Sequence, residues 1–165
     1  MVVIESIDGT KKNIKCIACA LQQGKIKRFG EIVAETKYFV VDQDYEIPIP
    51  GFMILASKKH IKGIEDFSKE QRIEFIELLY KIRKAIKEVL GIDYVYIIQE
   101  EDSIKKSSHF HVWLFPKYDW MKRIGEGVQF TRQIMEYARK NMKTKDNLDN
   151  VKKAALKIKQ YFKKL

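Results

Sequence analysis

The chain is poor in several residue types, and each shortage narrows the class of protein. Two cysteines and three prolines in 165 residues are too few for a small disulfide scaffold or a proline-rich linker. No run approaches the roughly 18 apolar residues of a membrane span. The N-terminus also lacks the basic region and apolar core of a secretory signal. We therefore expect no membrane partner, a cytoplasmic location, and cysteines that are free, catalytic or metal-bound.

The composition is that of an ordinary folded domain with an excess of positive charge. Hydrophobic residues make up 45% of the chain, which is enough for a core. The 32 Lys and Arg against 22 Asp and Glu give a formal charge of +10. This excess favours anionic partners such as nucleotides, phosphorylated metabolites or nucleic acid, and a lysine-rich solvated surface is the alternative explanation.

The apolar pattern predicts a mixture of antiparallel strands and helices. Five segments have the β-branched and aromatic character of strands: residues 2–4, a hairpin within 29–44, 52–56, 94–98 and the stretch from 109. The short polar connection between the last two predicts antiparallel neighbours. Helical periodicity marks residues 69–90, 128–142 and 148–164.

The helix over residues 69–90 has the clearest boundaries. Ser68 and Gln71 form a capping-box signature at its start, and Gly91 follows its end. Apolar residues recur at intervals of three and four, which predicts a stripe facing the core. The predicted stripe is Ile73, Ile76, Leu79, Ile82, Ile86 and Val89.

Thiol and imidazole groups are the candidate site residues. Cys16 and Cys19 have the Cys-x-x-Cys spacing that lets two sulfurs reach one metal ion, although a redox dithiol or chance explains the spacing too. His109 and His111 lie two residues apart in a predicted strand, so they share a face with Trp113, while Phe110, Val112 and Leu114 occupy the other. His60 follows the strand at 52–56.

These segments together resemble the histidine-triad (HIT) family. The run His109-Phe-His111-Val-Trp113-Leu-Phe-Pro116 is similar to the motif His-x-His-x-His-x-x-Pro, with Trp113 in place of the third histidine. Cys16-Ile-Ala-Cys19 before it and Lys58-Lys-His60 between them match the layout of the zinc-containing branch. The resemblance spans roughly residues 16–118.

The resemblance implies a role for each matching residue. Cys16, Cys19, His60 and His109 would bind a structural Zn²⁺, and His111 would be the nucleophile that attacks an α-phosphorus. Asp44 would contact the ribose, with Asp42 as a competitor for that role. The remaining residues expected to bind the substrate are Gln99, Ser107, Ser108 and Trp113. Trp113 departs from the motif, because an indole offers one N–H donor and cannot act as an acid or base.

The resemblance also implies a fold, an activity and partners. We expect an α+β, HIT-like fold in which an antiparallel sheet is packed by one long helix, with additional C-terminal helices. Residues 1–118 would form the HIT-like domain, and 119–165 a helical extension packed on the domain or on a partner subunit. The expected activity is that of a nucleotide hydrolase or nucleotidyl transferase acting on a nucleotide or dinucleotide polyphosphate, in a homodimer. The alternatives are a zinc-stabilised nucleotide-binding module without catalysis and, less favoured, a basic nucleic-acid-binding protein.

Overall fold

The computed structural model describes residues 2–101 and 108–165. Seven strands and four helices follow one another within these ranges, and short 3₁₀ turns lie between some of them. The strands are β1 (Val2–Glu5), β2 (Lys11–Ile14), β3 (Ala34–Glu35), β4 (Phe39–Gln43), β5 (Met53–Ser57), β6 (Val95–Gln99) and β7 (His111–Pro116). The helices are α1 (Ile17–Gln22), α2 (Lys69–Leu90), α3 (Thr131–Asn141) and α4 (Lys145–Phe162).

The main sheet has five strands in the order β3-β4-β5-β7-β6, and every neighbouring pair is antiparallel. The apolar strand β5 is central, as its continuous hydrophobic run predicts. Residues opposite each other point to the same face, so the register Asp42↔Ile54 and Ile54↔Trp113 places these side chains in one row. One face of the sheet therefore carries His111 and Trp113, and the other carries Val112 and Leu114.

The second of these faces is covered by helices α2 and α4. The core between sheet and helices contains Phe39, Leu55, Phe110 and Val112, all at most 1% exposed. Phe110 stacks edge to face on Phe67, with ring centroids 4.5 Å apart. The predicted division of the motif strand into a buried apolar face and a histidine face is therefore confirmed.

Helix α2 begins and ends where its caps predict. Ser68 accepts a hydrogen bond from the N–H of Gln71, whose side chain accepts one from the N–H of Ser68. Gly91 adopts the left-handed conformation with φ of 65° and closes the last turn by donating its N–H to the Lys87 carbonyl. These caps satisfy backbone groups that the helix leaves unpaired, so they fix both ends.

The predicted core stripe of α2 is wrong at its N-terminal end. Ile73 and Ile76 are 57% and 58% exposed, whereas Ile82 and Ile86 are buried as predicted. Most neighbouring residues of the predicted stripe are three positions apart. Three residues turn about 60° less than a full turn of helix, so the stripe moves around the helix and leaves the face that packs on the core. The buried positions are Gln71, Phe75, Leu78, Ile82, Ala85 and Ile86.

The C-terminal helices pack on the rest of the described chain. Helix α4 lies against α2 and contributes Ala155 and Ile158 to the same core. Helix α3 contributes Ile134 and Ala138 to a second apolar cluster with Phe52 and other residues at the end of the sheet. Within the described ranges, no helix is long and apolar enough to cross a membrane.

The N-terminal residues form a separate two-stranded sheet. Strands β1 and β2 pair antiparallel across the turn at Asp8-Gly9, and Ile4 packs with Ala20 and Leu21 of α1. This hairpin and α1 lie over the histidine face of the main sheet, since residues of all of them line one cavity there. The fold as a whole is the predicted α+β arrangement, an antiparallel sheet packed by one long helix with further C-terminal helices.

Candidate functional site

The first turn of α1 positions the two cysteines. Cys16 is the N-cap of this helix in an extended conformation, and its sulfur accepts a hydrogen bond from the Cys19 N–H at 3.5 Å. A helix turn brings residues three apart onto the same side, so both sulfurs point the same way. The Cys-x-x-Cys segment thus lies in the first turn of a helix, one of the two settings in which this spacing serves a metal ion.

Two histidines complete a four-membered cluster with these cysteines. The ligand atoms of Cys16, Cys19, His60 and His109 all lie within 4.8 Å of one another. The Nδ1 atom of His109 is 3.4 Å from each sulfur and 3.2 Å from Nδ1 of His60. The Cys19 sulfur is 3.3 Å from Nδ1 of His60. The structure therefore brings together the four predicted ligands from three separate parts of the chain.

The spacing of the cluster fits a tetrahedral zinc ion. Zinc–sulfur and zinc–nitrogen bonds of usual length at tetrahedral angles give edges of about 3.5 Å between sulfur and nitrogen and about 3.3 Å between two nitrogens. The observed sulfur–nitrogen distances are 3.3 to 3.4 Å, and the nitrogen–nitrogen distance is 3.2 Å. The predicted structural Zn²⁺ is supported by this cluster, in which these four of the six ligand–ligand distances match those around one ion.

His109 is held in the orientation of a metal ligand by its second nitrogen. Nε2 of His109 lies 2.7 Å from the carbonyl oxygen of Ser57, so Nε2–H donates and Nδ1 is left with a lone pair that faces the cluster. Burial lowers the pKa of His109, which favours the neutral imidazole that a metal needs. This backbone contact therefore fixes both the ring and its tautomer.

Burial outweighs the nearby positive charge at the thiols, because Lys25 only partly offsets the raised pKa of Cys19. Burial raises the pKa of the Cys19 thiol to about 11, and a hydrogen bond with Cys16 and repulsion between the two thiolates add to this shift. A divalent cation removes this repulsion and stabilises both thiolates. The cluster thus has the electrostatics of a metal site.

A cavity of about 350 Å³ lies beside this cluster, between the histidine face of the sheet and the N-terminal hairpin with α1. Its wall on the sheet side includes Asp42, Ile54, Ala56, His111 and Trp113. Apolar side chains of the hairpin and α1 form the opposite wall, which they share with Cys16, and His109 also lines the cavity. The metal cluster and the cavity are therefore adjacent and share residues.

His111 has one ring nitrogen that carries no proton. Its Nδ1 lies 2.8 Å from the carbonyl oxygen of His109. A carbonyl can only accept, so Nδ1 carries the proton, and Nε2 has a free lone pair. The hydrogen bond to a backbone oxygen also favours the positive charge that the ring acquires when Nε2 forms a bond. His111 thus has the tautomer that nucleophilic catalysis requires.

The two candidate aspartates both line the cavity but have different surroundings. Oδ1 of Asp44 accepts backbone N–H bonds from Glu46 at 2.8 Å and from Ile47 at 2.7 Å. Burial raises the pKa of Asp44 to about 7 despite these bonds. Asp42 instead accepts a bond from Nε of Arg28 at 3.0 Å.

The other predicted substrate residues are placed as follows. Ser108 and Trp113 line the cavity, and the Trp113 ring lies 6.0 Å from that of His111. Gln99 pairs with Val112, so it belongs to the helix-covered side of the sheet, and its amide contacts Glu101. It is not among the residues that line the cavity. Ser107 lies outside the described residues.

Arg28 is a site residue that the sequence reasoning missed. Its guanidinium lies in the cavity wall, where Nε pairs with Asp42 and one terminal nitrogen donates to the Leu21 carbonyl at 3.0 Å. The segment around Arg28 has no regular secondary structure and no motif. Arg28 lies opposite β4 only because α1 packs on the sheet. No local sequence signal could therefore have identified it as a site residue.

Several solved structures with the same fold are named as histidine-triad proteins. A hypothetical histidine triad nucleotide-binding protein from Sulfolobus tokodaii superposes with a TM-score of 0.63 at 18% identity, covering 91% of this chain and 93% of that one. A HIT-like protein from Bartonella henselae gives 0.61 at 17% identity, covering 91% and 98%. A Zn-bound histidine triad family protein from Mycobacterium smegmatis gives 0.57 at 16% identity, covering 88% and 96%.

Neither a protein-family model nor a curated protein sequence matches the chain. The structural likenesses nevertheless define the class: the chain has the histidine-triad fold. The predicted resemblance to this family is confirmed at the level of the fold. Two of the superpositions cover 91% of the chain, so they extend into residues 119–165, beyond the range of the sequence resemblance.

Proposed function

We propose that this protein is a zinc-stabilised HIT enzyme that cleaves a nucleotide at its α-phosphate through a nucleotidyl-histidine intermediate on His111. The observation that supports this most strongly is the hydrogen bond from His111 Nδ1 to the His109 carbonyl in the wall of a cavity. It leaves Nε2 unprotonated beside a cavity of about 350 Å³. Nucleotide binding is named for the Sulfolobus tokodaii protein with the same fold.

The proposed reaction has two displacements. In the first, the lone pair of His111 Nε2 forms a bond to the α-phosphorus, and the bond from phosphorus to the leaving group breaks with its electron pair. In the second, water or phosphate attacks the same phosphorus, and the pair of the phosphorus–nitrogen bond returns to Nε2. The His109 carbonyl stabilises the cationic ring between the two steps, because it accepts the Nδ1–H bond throughout.

The proposed role of Zn²⁺ is structural, and its proposed ligands are Cys16, Cys19, His60 and His109. A closed site of four protein ligands adds folding free energy and leaves no open position for substrate. His109 belongs to the cluster, and its carbonyl orients His111. Metal binding therefore holds the nucleophile in place without taking part in the bond changes.

The proposed substrate contacts follow the cavity lining. Asp44 is proposed to bind the ribose hydroxyls, since carboxylate oxygens accept two such bonds. Ser108 is proposed to donate a hydrogen bond to the phosphate. Trp113 is proposed to form the cavity wall next to His111, on the side where the leaving group lies. We do not include Gln99, whose amide contacts Glu101 instead.

A nucleotide-binding module without catalysis is the second candidate, and Trp113 is the observation that favours it. Trp113 occupies the third triad position, packs edge to face on Phe52 and lies under the guanidinium of Arg132 at 5.7 Å. These contacts fix the Trp113 ring as an apolar part of the cavity wall. Its indole cannot transfer a proton to a leaving group. Under this candidate the cavity binds a nucleotide and releases it unchanged.

One experiment separates the two candidates. The purified protein is incubated with adenosine and guanosine phosphoramidates and with dinucleotide polyphosphates, and AMP and GMP binding is measured by calorimetry. Release of a nucleoside monophosphate supports the enzyme. Tight binding of AMP or GMP without turnover of any substrate supports the binding module, and absence of both binding and turnover contradicts both.

We further propose that the protein is a homodimer whose sheets adjoin through β6. This strand is the longer of the two edge strands of the sheet, and Ile97 on it is 51% exposed. Arg83 of α2 donates to the Ile92 and Asp93 carbonyls before β6, so this flank of α2 faces the same edge. Ile76 and Tyr80 on α2 are 58% and 60% exposed. An open edge with neighbouring apolar side chains suits pairing with a second copy.

The dimer is tested by sedimentation velocity. We expect the mass of two chains for the unmodified protein and of one chain for Ile97→Lys, because a lysine at the edge introduces an uncompensated charge into the interface. Leu156→Lys, at an exposed position of α4, is the matched control and should leave the dimer intact. A monomeric unmodified protein at micromolar concentration would contradict the proposal.

A further inference from the structure

Asp42 carries a buried oxygen atom that the proposed reaction does not use. Its side chain is 13% exposed and lines the cavity from the middle of β4. Oδ2 is paired with Arg28, but Oδ1 is buried and has no hydrogen-bond partner among the described residues. Leaving a buried charged acceptor unpaired is costly, so an atom of this kind indicates a position that a ligand completes.

The ion pair between Asp42 and Arg28 does not involve Oδ1 of Asp42. A guanidinium can bind both oxygens of a carboxylate in a fork, but Arg28 gives Asp42 only its Nε. One of its terminal nitrogens donates to the Leu21 carbonyl. The arginine thus fixes the orientation of the carboxylate and compensates its charge, while Oδ1 keeps no hydrogen-bond partner among the described residues. Burial raises the pKa of the Asp42 carboxyl, and the guanidinium of Arg28 opposes that rise. These two opposing effects are expected of a carboxylate that lies beside a cavity.

The next residue of β4 carries a second buried acceptor, but on the other face of the sheet. Oε1 of Gln43 is buried and unpaired within the described part of the chain, and the register of Gln43 with Met53 and Leu114 places its side chain on the helix-covered face. Its amide nitrogen donates to the Ile49 carbonyl at 3.0 Å, which fixes the direction of the oxygen. The unpaired oxygen on the cavity side is therefore that of Asp42, and since it is an acceptor, a ligand that completes it must offer an N–H or O–H donor.

The sheet register gives the distance of Asp42 from the nucleophile. Asp42 lies opposite Ile54, which lies opposite Trp113, and His111 is two residues from Trp113 on the same strand. Two strand spacings across the sheet and two residues along it place the two Cα atoms about 12 Å apart. A nucleoside monophosphate with its phosphorus at His111 extends over this range to the far edge of its base. Ile14, Ile17 and Leu21 line the opposite wall of the cavity. Their apolar side chains provide a surface on which a flat base can pack.

We propose that Asp42, oriented by Arg28, reads the nucleobase by accepting a hydrogen bond from an N–H group on the edge of the ring. This inference rests on the proposed nucleotide function and adds a determinant of base specificity to it. Bases that carry an amino or ring N–H group on that edge would be selected over a purine without one. Asp44 keeps its separate role at the ribose.

The proposal is tested by comparing AMP and GMP with purine riboside 5′-monophosphate, which has no N–H group on its base. Dissociation constants are measured by calorimetry with the full-length zinc-loaded protein. We expect AMP or GMP to bind about tenfold tighter or more than the purine nucleotide, because a hydrogen bond to a charged acceptor is lost in the latter. This comparison needs no variant, so it stands even where a substitution impairs folding.

The Asp42→Asn variant provides a second test of the proposal. The asparagine oxygen still accepts from Arg28, while its NH₂ group now points a donor at the base, so we expect the preference to vanish or reverse. Asp44→Asn is the matched control, in which affinity for all three nucleotides falls together and their ratio is unchanged. A ratio near one in the unmodified protein, or an unchanged ratio in Asp42→Asn, would overturn the inference alone. Absence of any nucleotide binding would overturn the proposed function with it.

Discussion

Replacing His111 with alanine is expected to abolish release of the nucleoside monophosphate, with a fall in kcat of at least about 10⁴-fold. The variant loses the proposed nucleophile, and water in its place gains no base from Trp113, whose indole cannot accept a proton. The side chain is partly exposed, lines the cavity and makes a polar contact with the backbone carbonyl of His109. We therefore expect zinc content and melting temperature to change little.

Chemical rescue provides a sharp control for this prediction. In His111→Gly the missing ring leaves a space beside the substrate, and added imidazole should restore part of the turnover in a concentration-dependent manner. The same concentrations should have no effect on the unmodified protein. Turnover that persists in His111→Ala at the rate of the unmodified protein would contradict the assignment of the nucleophile.

Removal of the zinc ligand in Cys16→Ser is expected to lower the melting temperature by about 10 °C, since a structural zinc site contributes several kcal/mol of folding free energy. Cys16 also begins α1, and this helix forms one wall of the cavity. Loss of the ion should thus loosen the cavity as well as the cluster. Metal analysis should give about one zinc per chain in the unmodified protein and much less in the variant.

A chelator and a neighbouring variant complete this test. EDTA should lower the melting temperature of the unmodified protein to that of Cys16→Ser and should have no further effect on the variant. Ser108→Ala, next to His109 in sequence but outside the cluster, should keep its zinc and its melting temperature. A metal-free protein with undiminished stability would contradict the ligand assignment.

Local signals were sufficient for the helix boundaries and for the two faces of the motif strand. Ser68 and Gln71 specify the start of α2 through hydrogen bonds within four residues, so the sequence contains the whole interaction. The alternation around His111 likewise follows from the geometry of one strand. The same reasoning failed for the core stripe of α2. Apolar residues such as Ile73 and Ile76 lie on its outer side, and the sequence pattern alone cannot tell which side the sheet covers.

The site was predictable to the extent that it repeats a family pattern. The cluster of Cys16, Cys19, His60 and His109 joins residues up to 93 positions apart, and spacing within the sequence gives no distance between them. The resemblance supplied that connection. It could not supply the pairing of Arg28 with Asp42, because an ion pair between an irregular segment and a strand follows from tertiary packing alone.

The most direct test of the central claim is an intact-mass measurement on protein mixed rapidly with a nucleoside phosphoramidate and quenched at alkaline pH, where a phosphorus–nitrogen bond survives. We predict a species heavier by one nucleotidyl group, with the added mass on the peptide that contains His111, and its absence from His111→Ala. Turnover without any such adduct, or an adduct on another residue that persists in His111→Ala, would contradict the account.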